Sequence, residues 1–97
     1  MIAALNRLVA MVEDDPGADV DLTRLAAEHG TTEYHLRRMF SSLAQMPLSE
    51  YVRRRRMTLA AAAVVTGEPV LDVAVRHGYG SAEAFGRAFR ADRKGVV

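Results

Sequence analysis

The sequence predicts an all-α protein in which a short two-helix unit occurs on either side of a long helix. Three observations carry this. Ala, Leu, Arg and Met are plentiful while Thr is sparse and Ile occurs only at Ile2, a balance that favours helix over sheet. Apolar residues recur at helical spacing in segments separated by Gly and Pro. One pair of those segments then appears a second time. With 97 residues, 49% apolar and 26% charged, the chain has the balance of a folded domain holding one modest core or two small ones.

In the first helix, Ile2, Leu5, Leu8, Val9 and Val12 follow helical spacing, and Asp14-Asp15-Pro16-Gly17 closes it with breakers. Asp21 caps a short second helix, Leu22 to His29, with Leu22, Leu25 and Ala26 inward and a left-handed Gly30 to end it. Thr31 or Thr32 caps the third, whose apolar surface is Tyr34, Leu36, Met39, Phe40 and Leu43, before Pro47 interrupts. A long fourth helix runs from Leu48 or Ser49 to about Thr66, with Tyr51, Val52, Leu59, Ala62 and Ala63 as its buried positions and Gly67 as its stop. Glu68-Pro69 opens a fifth, Val70 to His77, since proline is tolerated in a first helical turn, and Gly78 ends it. Ser81 caps a sixth that reaches about Arg90, with Phe85 and Phe89 one turn apart. Residues 91–97 show no readable pattern.

Helices two and three recur as helices five and six. Leu25-Ala26-Ala27-Glu28-His29-Gly30 aligns with Val73-Ala74-Val75-Arg76-His77-Gly78, and Leu36-Arg37-Arg38-Met39-Phe40 aligns with Phe85-Gly86-Arg87-Ala88-Phe89 one residue further on. A residue has therefore been added in the second turn. A small alanine where helices cross, a glycine where the chain reverses and an apolar pair four apart are what a helix-turn-helix needs to pack. The chain thus divides into a first helix-turn-helix subdomain (residues 1–47), a linker helix (48–66) and a second such subdomain (67–97).

Charge follows the same division. Up to Glu33 there are seven acids against Arg7 and Arg24; from Tyr34 onward eleven bases stand against Glu50, Glu68, Asp72, Glu83 and Asp92. A basic part of this kind suits the phosphates of nucleic acid, although arginine also populates solvated helix faces. The linker as a helix would be roughly 28 Å long, close to the ~34 Å of one turn of B-DNA, so a stiff linker of that length places two reading helices near successive major-groove segments.

These residues resemble the DNA-binding domain of the AraC family of transcription regulators. The resemblance is carried by Leu25-Ala26 with Gly30, Tyr34 to Phe40, Tyr51-Val52-Arg53 with Arg56-Met57, Ala74 with Gly78, and Ser81 with Phe85 and Arg87-Ala88-Phe89. It covers nearly the whole chain. It implies that the third and sixth helices enter adjacent major grooves of double-stranded DNA and that the fourth joins the two subdomains. Two departures stand out. The family usually continues with a glycine, a proline and a Tyr-Arg pair on a final helix, where this sequence has Gly95 and stops at Val97, and it often has glycine where this chain has Gln45.

Arg38 and Arg87 occupy equivalent repeat positions and match family positions that face DNA, which makes them the first candidates for guanine or phosphate contacts; the alternatives are a solvated face or an internal salt bridge. Tyr34 is placed to touch a thymine methyl or a phosphate, or else to be partly buried on helix two. His35 and Arg37 beside it are candidate phosphate ligands. Arg53 and Arg90 join the candidates, but consecutive helical residues point about 100° apart, so Arg53 to Arg56 cannot all face DNA. Arg56 is assigned to the joint between subdomains. On helix six, Glu83 is the candidate acceptor for cytosine N4, while Ala82 and Gly86 have little to offer a base. The first unit is therefore expected to read and the second mainly to clamp.

No cofactor or metal is expected: there is no cysteine, His29 and His77 precede turn glycines without ligand partners, and both are expected to cap helix ends. No nucleophile with its base, carboxylate pair or phosphate-cradling glycine loop suggests an enzyme. Nothing resembles a signal peptide or a membrane span, so the expected location is the cytoplasm. The acidic stretch Glu13 to Asp21 is a solvated loop or faces a partner such as RNA polymerase, and no effector domain fits within this length. A rival reading keeps the fold as a protein-interaction module without DNA affinity.

Overall fold

The computed structural model describes residues 1–94 and contains six helices: α1 (Ile2–Asp14), α2 (Leu22–Glu28), α3 (Glu33–Ala44), α4 (Leu48–Val65), α5 (Val70–Arg76) and α6 (Ala82–Lys94). There are no strands among the described residues. The expected caps form. The Arg24 N–H donates to Asp21 Oδ1 at 3.1 Å, the His35 N–H to Thr32 Oγ1 at 3.2 Å and the Ala84 N–H to Ser81 Oγ at 3.0 Å. Each satisfies one of the donors that a helix start leaves open. Gly30, Gly67 and Gly78 have φ of 69°, 99° and 87°, the left-handed region in which they end α2, α4 and α5. Gln45 takes the same conformation after α3, at φ 58°, so the turn where glycine was expected is closed by a residue with a Cβ.

Two apolar clusters organise the packing. The first joins Ala4, Leu5 and Leu8 of α1, Leu22, Leu25 and Ala26 of α2, Leu36 and Phe40 of α3 and Leu48 of α4. The second joins Met57, Ala60 and Ala63 of α4, Val73 and Ala74 of α5 and Phe85 of α6. Met57 lies nine residues, about two and a half turns, beyond Leu48, so the two ends of α4 serve the clusters with opposite faces. Aromatic edges complete each cluster. Phe40 lies 5.3 Å from Tyr51, and Phe85 lies 5.3 Å from Tyr79 and 6.1 Å from Phe89, centroid to centroid.

Several positions differ from the sequence reading. In α1, Ile2 and Val9 are exposed and the small Ala4 is buried, because the helix presents one stripe to α2, α3 and α4. Leu43 of α3 also faces outward, while Tyr34 takes the outward one of the two places the sequence allowed it. In α4, Ala62 is exposed while Met57 and Ala60 are buried, since a helix that serves two clusters has no single apolar stripe to read. The sixth helix continues past Arg90 to Lys94. The final residues, including Gly95 and Val97 of the sequence reading, lie outside the described residues.

Candidate nucleic-acid interface

The turn that follows the first helix of each repeat is closed in the same way. The Thr31 N–H reaches Ala26 O at 2.9 Å past Gly30, and the Tyr79 N–H reaches Ala74 O at 2.8 Å past Gly78. His29 Nδ1 lies 3.0 Å from Leu25 O and His77 Nδ1 lies 2.9 Å from Val73 O, so each ring donates to the carbonyl one turn back and closes its helix, as expected. The side-chain caps that follow, Thr32 and Ser81, are one position further apart than the glycines. The added residue therefore sits between Tyr79 and Ser81. It is Gly80.

Beyond these turns α3 and α6 present different surfaces. On α3, Tyr34 is 67% exposed and Arg38 stands one turn on, with its Nη1 3.3 Å from the tyrosine hydroxyl and its Cζ 5.7 Å from the ring centroid. The ring holds a guanidinium outward on a chosen face and lowers the side-chain entropy lost on meeting a ligand. His35 is exposed beside them. Ser42, one further turn along the Tyr34–Arg38 stripe, is exposed too and extends the candidate set; the four-residue spacing was the signal for it. Arg37 points elsewhere. Its Nε donates to Glu33 Oε1 at 3.2 Å, and the side chain lines a cleft between the two repeats.

On α6 the position equivalent to Tyr34 is Glu83 and the position equivalent to Arg38 is Arg87, both exposed. They form no ion pair among the described residues, so the guanidinium and the carboxylate stand separately on one face. Arg90 is exposed near Gly86, where a Cβ would lie 3.4 Å from its Nη1. The arginine run of α4 is instead tied to acids and to a backbone carbonyl. Arg53 faces Glu50 and Asp92 at 3.8 and 3.6 Å, Arg54 takes Glu50 at 2.8 Å, Arg55 takes Glu13 at 2.8 Å, and Arg56 Nε donates to Pro16 O at 2.8 Å. Arg53 thus lines, with Arg37, the cleft between the two repeats.

A family profile described as a helix-turn-helix domain matches residues 25–92. The regulatory protein SoxS of Escherichia coli is 33% identical over 87 residues, which cover 89% of this chain and 81% of that protein. This chain belongs to the AraC-type helix-turn-helix family. The transcriptional activator AarP of Providencia stuartii is 32% identical over 90% of this chain and 65% of its own length. A transcriptional regulator from Chromobacterium violaceum with an AraC-type DNA-binding domain shares the fold at a TM-score of 0.78, with 18% identity over 95% of this chain and 83% of that one. As an AraC-type domain the chain is a DNA-binding element of transcription regulation and not an enzyme. None of its described helices is long and apolar enough to cross a membrane.

Proposed function

We propose that this AraC-type domain binds double-stranded DNA through both repeats, with α3 reading bases in one major groove and α6 gripping the backbone in the next. One observation carries the reading: the same turn-and-helix geometry occurs twice, with an exposed arginine at the same place on each outward helix. The molecule is 42 Å along its longest axis, enough to follow a duplex through the ~34 Å of one turn. Tyr34, His35 and Arg38 supply readout on α3. Arg87 and Arg90 take phosphates on α6, and Glu83 limits how closely that helix approaches them. Arg37 and Arg53, already paired with carboxylates, exchange those partners for phosphate. The working division is residues 1–47, 48–66 and 67–97, and the working location is the cytoplasm. RNA polymerase is the proposed partner of the acidic loop, and an effector domain, if the protein has one, lies outside this chain.

A salt-titrated binding assay on random-sequence and selected duplexes tests this. Several neutralised phosphates should make affinity fall steeply and linearly on a double-logarithmic plot against salt. Negligible duplex affinity even at low salt would overturn the proposal.

A further inference from the structure

Helices α1 to α3 do not pack on α5 or α6; each set packs on α4. A cleft of about 410 Å³ separates the two repeats beside it, lined by Leu8 and Val20 from the first and by Tyr79 and Ala88 from the second. Helix packing therefore fixes how α3 is turned relative to α6 only through α4. A second, smaller contact joins the two repeats directly. The loop between α1 and α2 touches the turn between α5 and α6, and a Cβ built on Gly17 would fall 2.3 Å from Arg76 O and 2.9 Å from Gly78 N. One built on Gly78 would fall 3.0 Å from Gly17 O. Both obstacles are backbone, so neither can swing aside. Arg56 fastens the contact from α4: its Nε donates to Pro16 O at 2.8 Å, and its Cζ lies 3.5 Å from the Cβ position of Gly78.

We infer that this joint is a spacing gauge, in which Gly17, Gly78 and Arg56 fix the separation and rotation of the two reading helices and so decide which half-site spacing the chain accepts. The inference rests on the proposal that both repeats engage the duplex. One added base pair moves the second half-site by about 3.4 Å and rotates it by roughly 35°. A rigid joint cannot follow that displacement. A loosened one can.

The test starts from duplexes that the full chain selects out of a random library, followed by versions with one base pair inserted or deleted between the half-sites. The parent protein should lose about ten- to a hundredfold in affinity at either altered spacing, the loss expected when one unit forfeits its contacts. Gly17 lies outside the left-handed region, so Gly17→Ala adds no local backbone strain and acts through the contact alone. It should shift or flatten the spacing profile while leaving affinity for an isolated first half-site within about twofold. Arg56→Ala, which adds no bulk, should flatten the profile in the same way, and circular dichroism verifies that both variants are folded. Selection of a single half-site, or a parent protein indifferent to spacing, would overturn the two-unit reading and this inference with it. A sharp parental profile retained unchanged by folded Gly17→Ala and Arg56→Ala would overturn the gauge alone.

Discussion

The two repeats share a backbone and differ in what they show to solvent. Past the turn, α3 displays Tyr34 with Arg38 resting on its ring, whereas α6 displays Glu83 and an Arg87 with no ion-pair partner among the described residues. In the cores the difference is smaller. Leu36 is fully buried where the second repeat has Phe85 at 6% exposure, and Phe40 is buried where Phe89 is half-buried. The demands of folding thus hold both copies to one geometry, while the outward face of each is free to take a different chemistry. A helix-turn-helix can be kept for its shape after its reading residues have been reduced.

The largest expected effect strikes the shared geometry. Leu36→Ala empties the centre of the first cluster and should cost about 2–5 kcal/mol, a large part of the ~5–15 kcal/mol that holds a domain together. Val73→Ala in the second cluster removes one carbon fewer and should cost less. Because α4 carries residues of both clusters, each variant should still melt in a single transition followed by circular dichroism, at a lower temperature. Two separated transitions would show that the repeats fold independently.

Next comes the outward chemistry. Arg38→Ala should weaken binding by about 1–3 kcal/mol and relax base preference in one half-site only. Arg87→Ala should weaken binding about equally on all sequences and reduce the salt dependence by roughly one phosphate's worth. Competition against base-substituted duplexes separates the two patterns. Glu83→Gln removes a charge that opposes phosphate, so it should raise affinity severalfold without changing the preferred sequence; a large change of consensus in the second half-site would instead make Glu83 a reader.

Smaller effects come from the turns. Gln45→Gly should stabilise the fold by up to about 1 kcal/mol, because glycine adopts the left-handed conformation without a Cβ penalty, and DNA affinity should be unchanged. Smallest is the exposed pair of Arg76 with Glu68, at 2.6 Å, which has no counterpart in the first repeat. The hydrogen bond from Arg76 holds the Glu68 carboxyl below its usual pKa. Its contribution is therefore present above the ordinary carboxylate pKa and lost as pH falls through the lowered one. Glu68→Gln should lower the melting temperature slightly at neutral pH and leave it unchanged in strong acid.

The parts of the fold legible in the sequence are those set by local chemistry. Asp21, Thr32 and Ser81 announce helix starts, Gly30, Gly67 and Gly78 announce ends, and the offset between the two copies reveals the inserted residue that proves to be Gly80. Where two surfaces compete for one helix, the pattern fails, as it does for Ala60 and Ala62 in α4. The end of α6 was hidden because Ala91-Asp92-Arg93-Lys94 adds no large apolar residue to the stripe. Among the candidate contacts, the places of Tyr34 and Arg38 follow from helical spacing. Those of Arg37, Arg53 and Arg56 depend on Glu33, Asp92 and Pro16, and for the last two those partners are distant in the chain. Gly17 gave no warning either, since a glycine after Pro16 reads as a loop breaker and its contact with Gly78 is purely tertiary.

On the proposed function both repeats engage the duplex, but only the first reads it closely. Selection of bound duplexes from a random library, with protection mapping on the winners, tests this most directly. Protection is expected over two half-sites about one helical turn apart, with strong base preference in one and weak preference in the other. Equal base preference in both half-sites, or protection of one alone, would contradict it.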